Sequence, residues 1–97
     1  MDFIYVLETD VDHYSGDRIF NTYLFEKQED ARTYLENLKY AYIAELMSCY
    51  GITEQELMDD YLEVTNDTPS NVFMFIDDDI YISLSIIKKN ILRFNNF

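Results

Sequence analysis

The stretch Gly51-Ile52-Thr53-Glu54-Gln55-Glu56-Leu57-Met58-Asp59-Asp60-Tyr61-Leu62-Glu63-Val64-Thr65-Asn66-Asp67-Thr68-Pro69-Ser70-Asn71 separates the helical middle of the chain from its second β-rich part. Gly51 is suited to the left-handed residue that ends a preceding helix, and Thr53 with Glu56 three positions later forms the capping box that opens another. The spacing predicts a short second helix to about Val64, with Leu57, Tyr61 and Val64 on one face, folded back on Ile43 and Met47. Thr65 to Asn71 is turn chemistry and reads as a linker.

Upstream, Ala31, Leu35, Leu38, Tyr42, Leu46 and Cys49 recur at three or four and make the apolar stripe of a long helix from Gln28. Ile43, Met47 and Tyr50 on its other side predict that the stretch from Tyr40 to Tyr50 is covered twice. Before it, residues 3 to 7 and 18 to 25 read as strands of a hairpin, with the polar stretch from Asp10 to Asp17 as its loop. Downstream, Val72 to Ile76 and Ile80 to Ile87 read as a second hairpin around Asp77-Asp78-Asp79. Ile80, Ile82, Leu84 and Ile86 alternate there with Tyr81, Ser83 and Ser85, as in a half-buried strand. Lys88 to Phe97 reads as a last helical turn or a frayed end. The expected fold is α+β: two β-hairpins forming a mostly antiparallel sheet packed against a long helix and a short acidic helix, in the order β-β-α-α-β-β, as one domain over residues 1–97.

Composition bounds the function. The chain has 97 residues, 19 acids against 7 bases and a formal charge of −12, yet 48% of its residues are hydrophobic and 16% aromatic. That is one modest core, too apolar for an acidic disordered chain. Residues 1–39 hold nine acids and four bases, residues 40–87 ten acids and no Lys or Arg, and residues 88–97 three bases and no acid. Phosphates and anionic lipid repel such a chain, whereas basic proteins attract it, so neither direct nucleic-acid binding nor membrane docking is expected. The N-terminus lacks a basic n-region, no apolar run approaches the ~20 residues of a membrane span, and the single Cys cannot form an internal disulfide. A cytoplasmic location is expected.

On the second helix, Glu56, Asp59, Asp60, Glu63 and, if the turn continues, Asp67 project to one side. At ~1.5 Å per residue these carboxylates fall ~4 Å apart along the axis, close to the ~3.4 Å per phosphate of a DNA strand. A solubilising acidic face is the plainer account, but such faces usually mix signs and this one has no Lys.

Other motifs carry less. Asp77-Asp78-Asp79 suggests a metal-dependent enzyme built on Asp77 and Asp79, but no Gly-rich phosphate loop or nearby Lys accompanies it, and a hairpin turn is the better account. Asp10-Val11-Asp12 lacks the ligands of a calcium loop at its fifth and twelfth positions. His13 is a lone exposed loop residue and Cys49 a buried, inert thiol on the helix stripe. No catalytic residue, metal ligand or cofactor site is expected. Nine Tyr and seven Phe exceed what the core needs. Tyr40 and Tyr50, or Phe94 and Phe97, are available for a homodimer contact.

Small size, one-sided acidity over Glu54 to Asp79 and spare aromatics together resemble the phage-encoded anti-defence inhibitors that imitate nucleic acid, of the anti-CRISPR and anti-restriction kind. The resemblance implies a non-catalytic inhibitor acting in the host cytoplasm. It would occupy the basic groove of a nuclease or of a CRISPR or restriction effector, with Glu56, Asp59, Asp60, Glu63, Asp67, Asp77, Asp78 and Asp79 in place of phosphates. An immunity protein or antitoxin that neutralises a basic toxin through one acidic interface is the alternative.

Overall fold

A computed structural model describes residues 3–13, 16–76 and 79–91. The chain is α+β, with one antiparallel five-stranded sheet and its helices on a single face. Strand β1 (Phe3–His13) pairs with β2 (Arg18–Phe25) from Tyr5 opposite Phe25 to Asp12 opposite Arg18. The first hairpin is longer than expected. Alternation continues past Leu7, with Thr9 and Val11 buried on the helix side and Asp10 and Asp12 on the other, so residues expected in a loop lie in the ladder and His13 ends the strand. The turn closes where the His13 N–H donates to the Asp17 carbonyl at 2.7 Å and Gly16 takes a φ of 111°.

Helix α1 (Gln28–Tyr50) buries Ala31, Leu35, Ile43 and Leu46. Gly51 ends it in the left-handed conformation, φ 64°, and donates its N–H to the Met47 carbonyl. Cys49 is exposed, because the buried face of α1 runs through Ile43 and Leu46 with Met47 and Tyr50 partly buried beside them, and leaves Cys49 outside it. Next comes α2 (Glu54–Glu56), capped as the sequence predicts, with Thr53 and Glu56 making both bonds of the capping box.

The second helix does not reach Val64. At Leu57 it widens into a π-helical turn, Leu57–Tyr61, and the chain then enters a further strand, β3 (Leu62–Thr68). In an α-helix Leu57 and Leu62 would point about 140° apart. The wider turn, closed by the Leu62 N–H on the Leu57 carbonyl, lets both be buried, and they are. Tyr61 and Val64, expected inside, are exposed instead, and Tyr61 stacks on Tyr50 with ring centroids 6.0 Å apart. The segment read as a linker is mostly strand, so the element order is β-β-α-α-β-β-β.

Strands β4 (Asn71–Ile76) and β5 (Ile80–Asn90) complete the sheet in the order β2-β1-β5-β4-β3. Strand β5 runs the length of β1, from Ile80 opposite His13 to Asn90 opposite Phe3. Lys88 to Asn90 are therefore strand rather than a helical turn, and residues 92–97 lie outside the described residues. The helix side of the sheet presents Leu7, Val11, Val72, Met74, Ile76, Ile80, Ile82 and Leu84 to Leu35, Ile43, Leu46 and Leu57. Among the described residues no element covers the other face, where Phe20, Leu24, Tyr81 and Ile87 are exposed.

Candidate functional site

Two of the eight expected site residues, Asp59 and Asp60, lie on the π turn, and Glu63 follows as the first outward residue of β3. Glu63 stands opposite Phe75, Phe75 opposite Tyr81, and Tyr81 opposite Asp12, so an acid-aromatic-aromatic-acid row crosses the open face. Asp59, Asp60 and Glu63 surround a concavity of about 510 Å³, shared with Met58, Tyr61, Leu62 and Phe75. Phe75 belongs in turn to a cluster, stacked on Tyr81 at 5.7 Å and edge-on to Phe73 at 6.0 Å.

The electrostatics of this concavity follow from where the bases sit. Among the described residues the ion pairs are Arg18 with Asp10 and Lys39 with Asp67, and neither base bridges to Asp59, Asp60 or Glu63. Asp59 accepts one neutral bond, 2.8 Å from the Gln55 amide. Three carboxylates thus share a recess that has an aromatic wall and, among the described residues, no lining cation. Such a site suits a guanidinium, which donates to carboxylate oxygens through its N–H fork and stacks on an aromatic ring.

The other expected residues are placed differently. Glu56 is engaged in the capping box, its carboxylate accepting the Thr53 N–H at 3.2 Å. Asp67 is turned to the opposite face of the sheet from Glu63. A bulge between Val64 and Asn66 inserts one residue, so Glu63 sits across from Phe75 on the open side while Asp67 sits across from Val72 on the helix side. There Lys39 clasps both oxygens of Asp67 at 2.8 Å. The continuous phosphate-like row on one helix does not form, because its members are divided between a π turn and two faces of a strand. Asp79 lies in the β4–β5 turn, its N–H bonded to the Ile76 carbonyl at 3.0 Å, at the same end of the sheet as Leu62. Asp77 and Asp78 lie outside the described residues.

Phe73, Phe75, Tyr81 and Asp12 join the site without having been singled out in the sequence. The signal was in the alternation of β4: Val72, Met74 and Ile76 fill the helix side, so Phe73 and Phe75 must occupy the other. On the same open face Arg18 holds Asp10 through two bonds, 3.0 and 2.7 Å, and this hydrogen-bonded guanidinium keeps the Asp10 carboxyl below its usual range.

A second recess, about 100 Å³, lies between α1 and the strand ends and has His13, Glu45 and Cys49 in its lining. No hydrogen bond joins His13 to Cys49, so the base-to-nucleophile contact of an activated thiol is not made. Among the described residues no group of three His, Cys, Asp or Glu is arranged to hold a metal, and no helix is long and apolar enough to cross a membrane. No protein-family model matches the chain, and no curated protein matches it significantly.

Proposed function

We propose that this chain is a non-catalytic, stoichiometric inhibitor that binds a basic nucleic-acid-binding protein, a nuclease or a CRISPR or restriction effector, through the acidic concavity beside the π turn. The observation that carries the reading is that Asp59, Asp60 and Glu63 line one concavity with Phe75 and that, among the described residues, no base is bridged to any of them. Arginines that line a nucleic-acid groove are built to meet paired oxygens, and carboxylates offer them the same geometry as phosphates. A formal charge of −12 speeds the approach to such a groove.

The test is competition. DNA or guide RNA should displace this protein from its basic partner, and the triple reversal Asp59→Lys, Asp60→Lys, Glu63→Lys should weaken binding at least a hundredfold while the fold, followed by circular dichroism, is kept. Simultaneous binding of nucleic acid and this protein at undiminished affinity would sink the groove reading. One feature favours an immunity protein or antitoxin as the second reading: the Phe73–Phe75–Tyr81 cluster is a shaped apolar surface that a phosphate mimic does not require. In that case nucleic acid does not compete, and Phe75→Ala weakens binding more than the triple charge reversal does.

A further inference from the structure

We propose that β2 pairs edge to edge, antiparallel, with β2 of a second copy of this chain, joining two five-stranded sheets into one. The edges of the sheet are β2 and β3, and they are not alike. Strand β3 is defended by its bulge and by Glu63 and Asp67. Strand β2 has none of the usual defences: it holds unbroken register with β1 for its whole length, has no Pro or Lys, and carries a single charge, Arg18. It also holds three of the four most exposed large hydrophobic side chains among the described residues, Leu24 at 63%, Phe20 at 54% and Ile19 at 51%.

The backbone is set for pairing. Because His13 bonds across the hairpin, the alternation of an antiparallel ladder directs the odd-numbered residues of β2 toward β1. The N–H and C=O groups of Arg18, Phe20, Thr22 and Leu24 therefore point outward. A two-fold axis at Thr22 then sets Phe20 against the partner's Leu24 and Ile19 against the partner's Phe25, each apolar on apolar. The same register sets Arg18 against the partner's Glu26, and Glu26 is exposed. A slip of two residues in one direction faces Arg18 with the partner's Leu24, and in the other faces Phe20 with the partner's Glu26. The Thr22-centred register alone matches both charge and apolar surface, as a self-complementary interface requires. This pairing leaves the acidic concavity, at the opposite edge, uncovered.

Sedimentation equilibrium over a concentration series at physiological salt tests it. The wild-type mass should climb from 11.6 kDa toward twice that value. Thr22→Pro removes an outward N–H without touching the ladder to β1, so it should stay monomeric with an unchanged circular dichroism spectrum. Glu26→Arg should weaken association at least tenfold by facing Arg18 with a like charge, whereas Glu26→Gln, which only removes the attraction, should weaken it less. Wild type that stays at 11.6 kDa into the millimolar range overturns the proposal, as does undiminished dimerisation of Glu26→Arg. The two Glu26 variants decide the matter even if Thr22→Pro fails to fold. The triple reversal at Asp59, Asp60 and Glu63 should leave the dimer intact, which separates this result from that of the inhibitor reading.

Discussion

Thr53 and Glu56 serve each other before they serve anything else. The Thr53 hydroxyl accepts the Glu56 N–H at 3.2 Å, and the Glu56 carboxylate accepts the Thr53 N–H at 3.2 Å, which satisfies two of the donors that a helix start leaves open. Helix α2 is too short to form by propensity alone, so this cap and the burial of Leu57 hold the turn on which Asp59 and Asp60 stand. Thr53→Ala should lower stability by about 1 kcal/mol in urea denaturation. Glu56→Gln keeps an oxygen that accepts the Thr53 N–H, so it should lose less than half of that and leave partner affinity within twofold of wild type. A tenfold loss of affinity in Glu56→Gln would instead return Glu56 to the binding surface. Lys39 and Asp67 make the same point in another place. A carboxylate that is clasped by a lysine at 2.8 Å is not free to imitate a phosphate, whatever its position in the sequence suggests.

The elements legible in the sequence are those whose signals are local and agree with one another. Helix α1 has a periodic stripe and a terminal Gly51 with φ 64°, and the β4–β5 hairpin has strict alternation around a polar turn. Strand β3 was hidden because Leu62-Glu63-Val64-Thr65-Asn66-Asp67-Thr68 fits a frayed helix end and a strand about equally well, and its choice is made by pairing with β4 across the Pro69-Ser70 turn. The π turn was hidden for a related reason: a five-residue spacing of buried leucines belongs to neither the helical nor the strand period. The bulge that sends Glu63 and Asp67 to opposite faces has no sequence mark at all, since no Gly or Pro lies between them. Leu57 is fully buried at the junction of α2 and the π turn. Leu57→Ala should destabilise by about 2–5 kcal/mol, and Leu57→Met, which keeps the volume, by under about 1.5 kcal/mol. If the π turn positions the acids, Leu57→Ala should also weaken partner binding at temperatures where the fold persists, measured by calorimetric titration.

For the molecule as a whole, the question is whether the charge of −12 is a background or a surface. The protein is elongated, 57 × 28 × 20 Å, and the Debye length falls from about 30 Å at 0.01 M salt to about 8 Å at 0.15 M. At low salt, then, acids on the π turn, in the β4–β5 turn and on α1 repel one another across most of the molecule, whereas at physiological salt only near neighbours do. Salt also weakens the ion pairs, but among the described residues these are two surface pairs, each contributing about 0–1 kcal/mol. Relief of repulsion should dominate, so folding stability should rise, on the order of 1 kcal/mol, between 0.01 and 0.15 M salt. Affinity for a basic partner should move the other way over the same series, because salt screens the attraction that steers and holds the complex. The two slopes separate in one variant. Reversing Asp59, Asp60 and Glu63 to Lys changes the formal charge by six and should flatten both slopes if these acids form the working surface. If the charge is only a solubilising background, the stability slope should flatten in proportion to the lost charge while the affinity slope stays as it was.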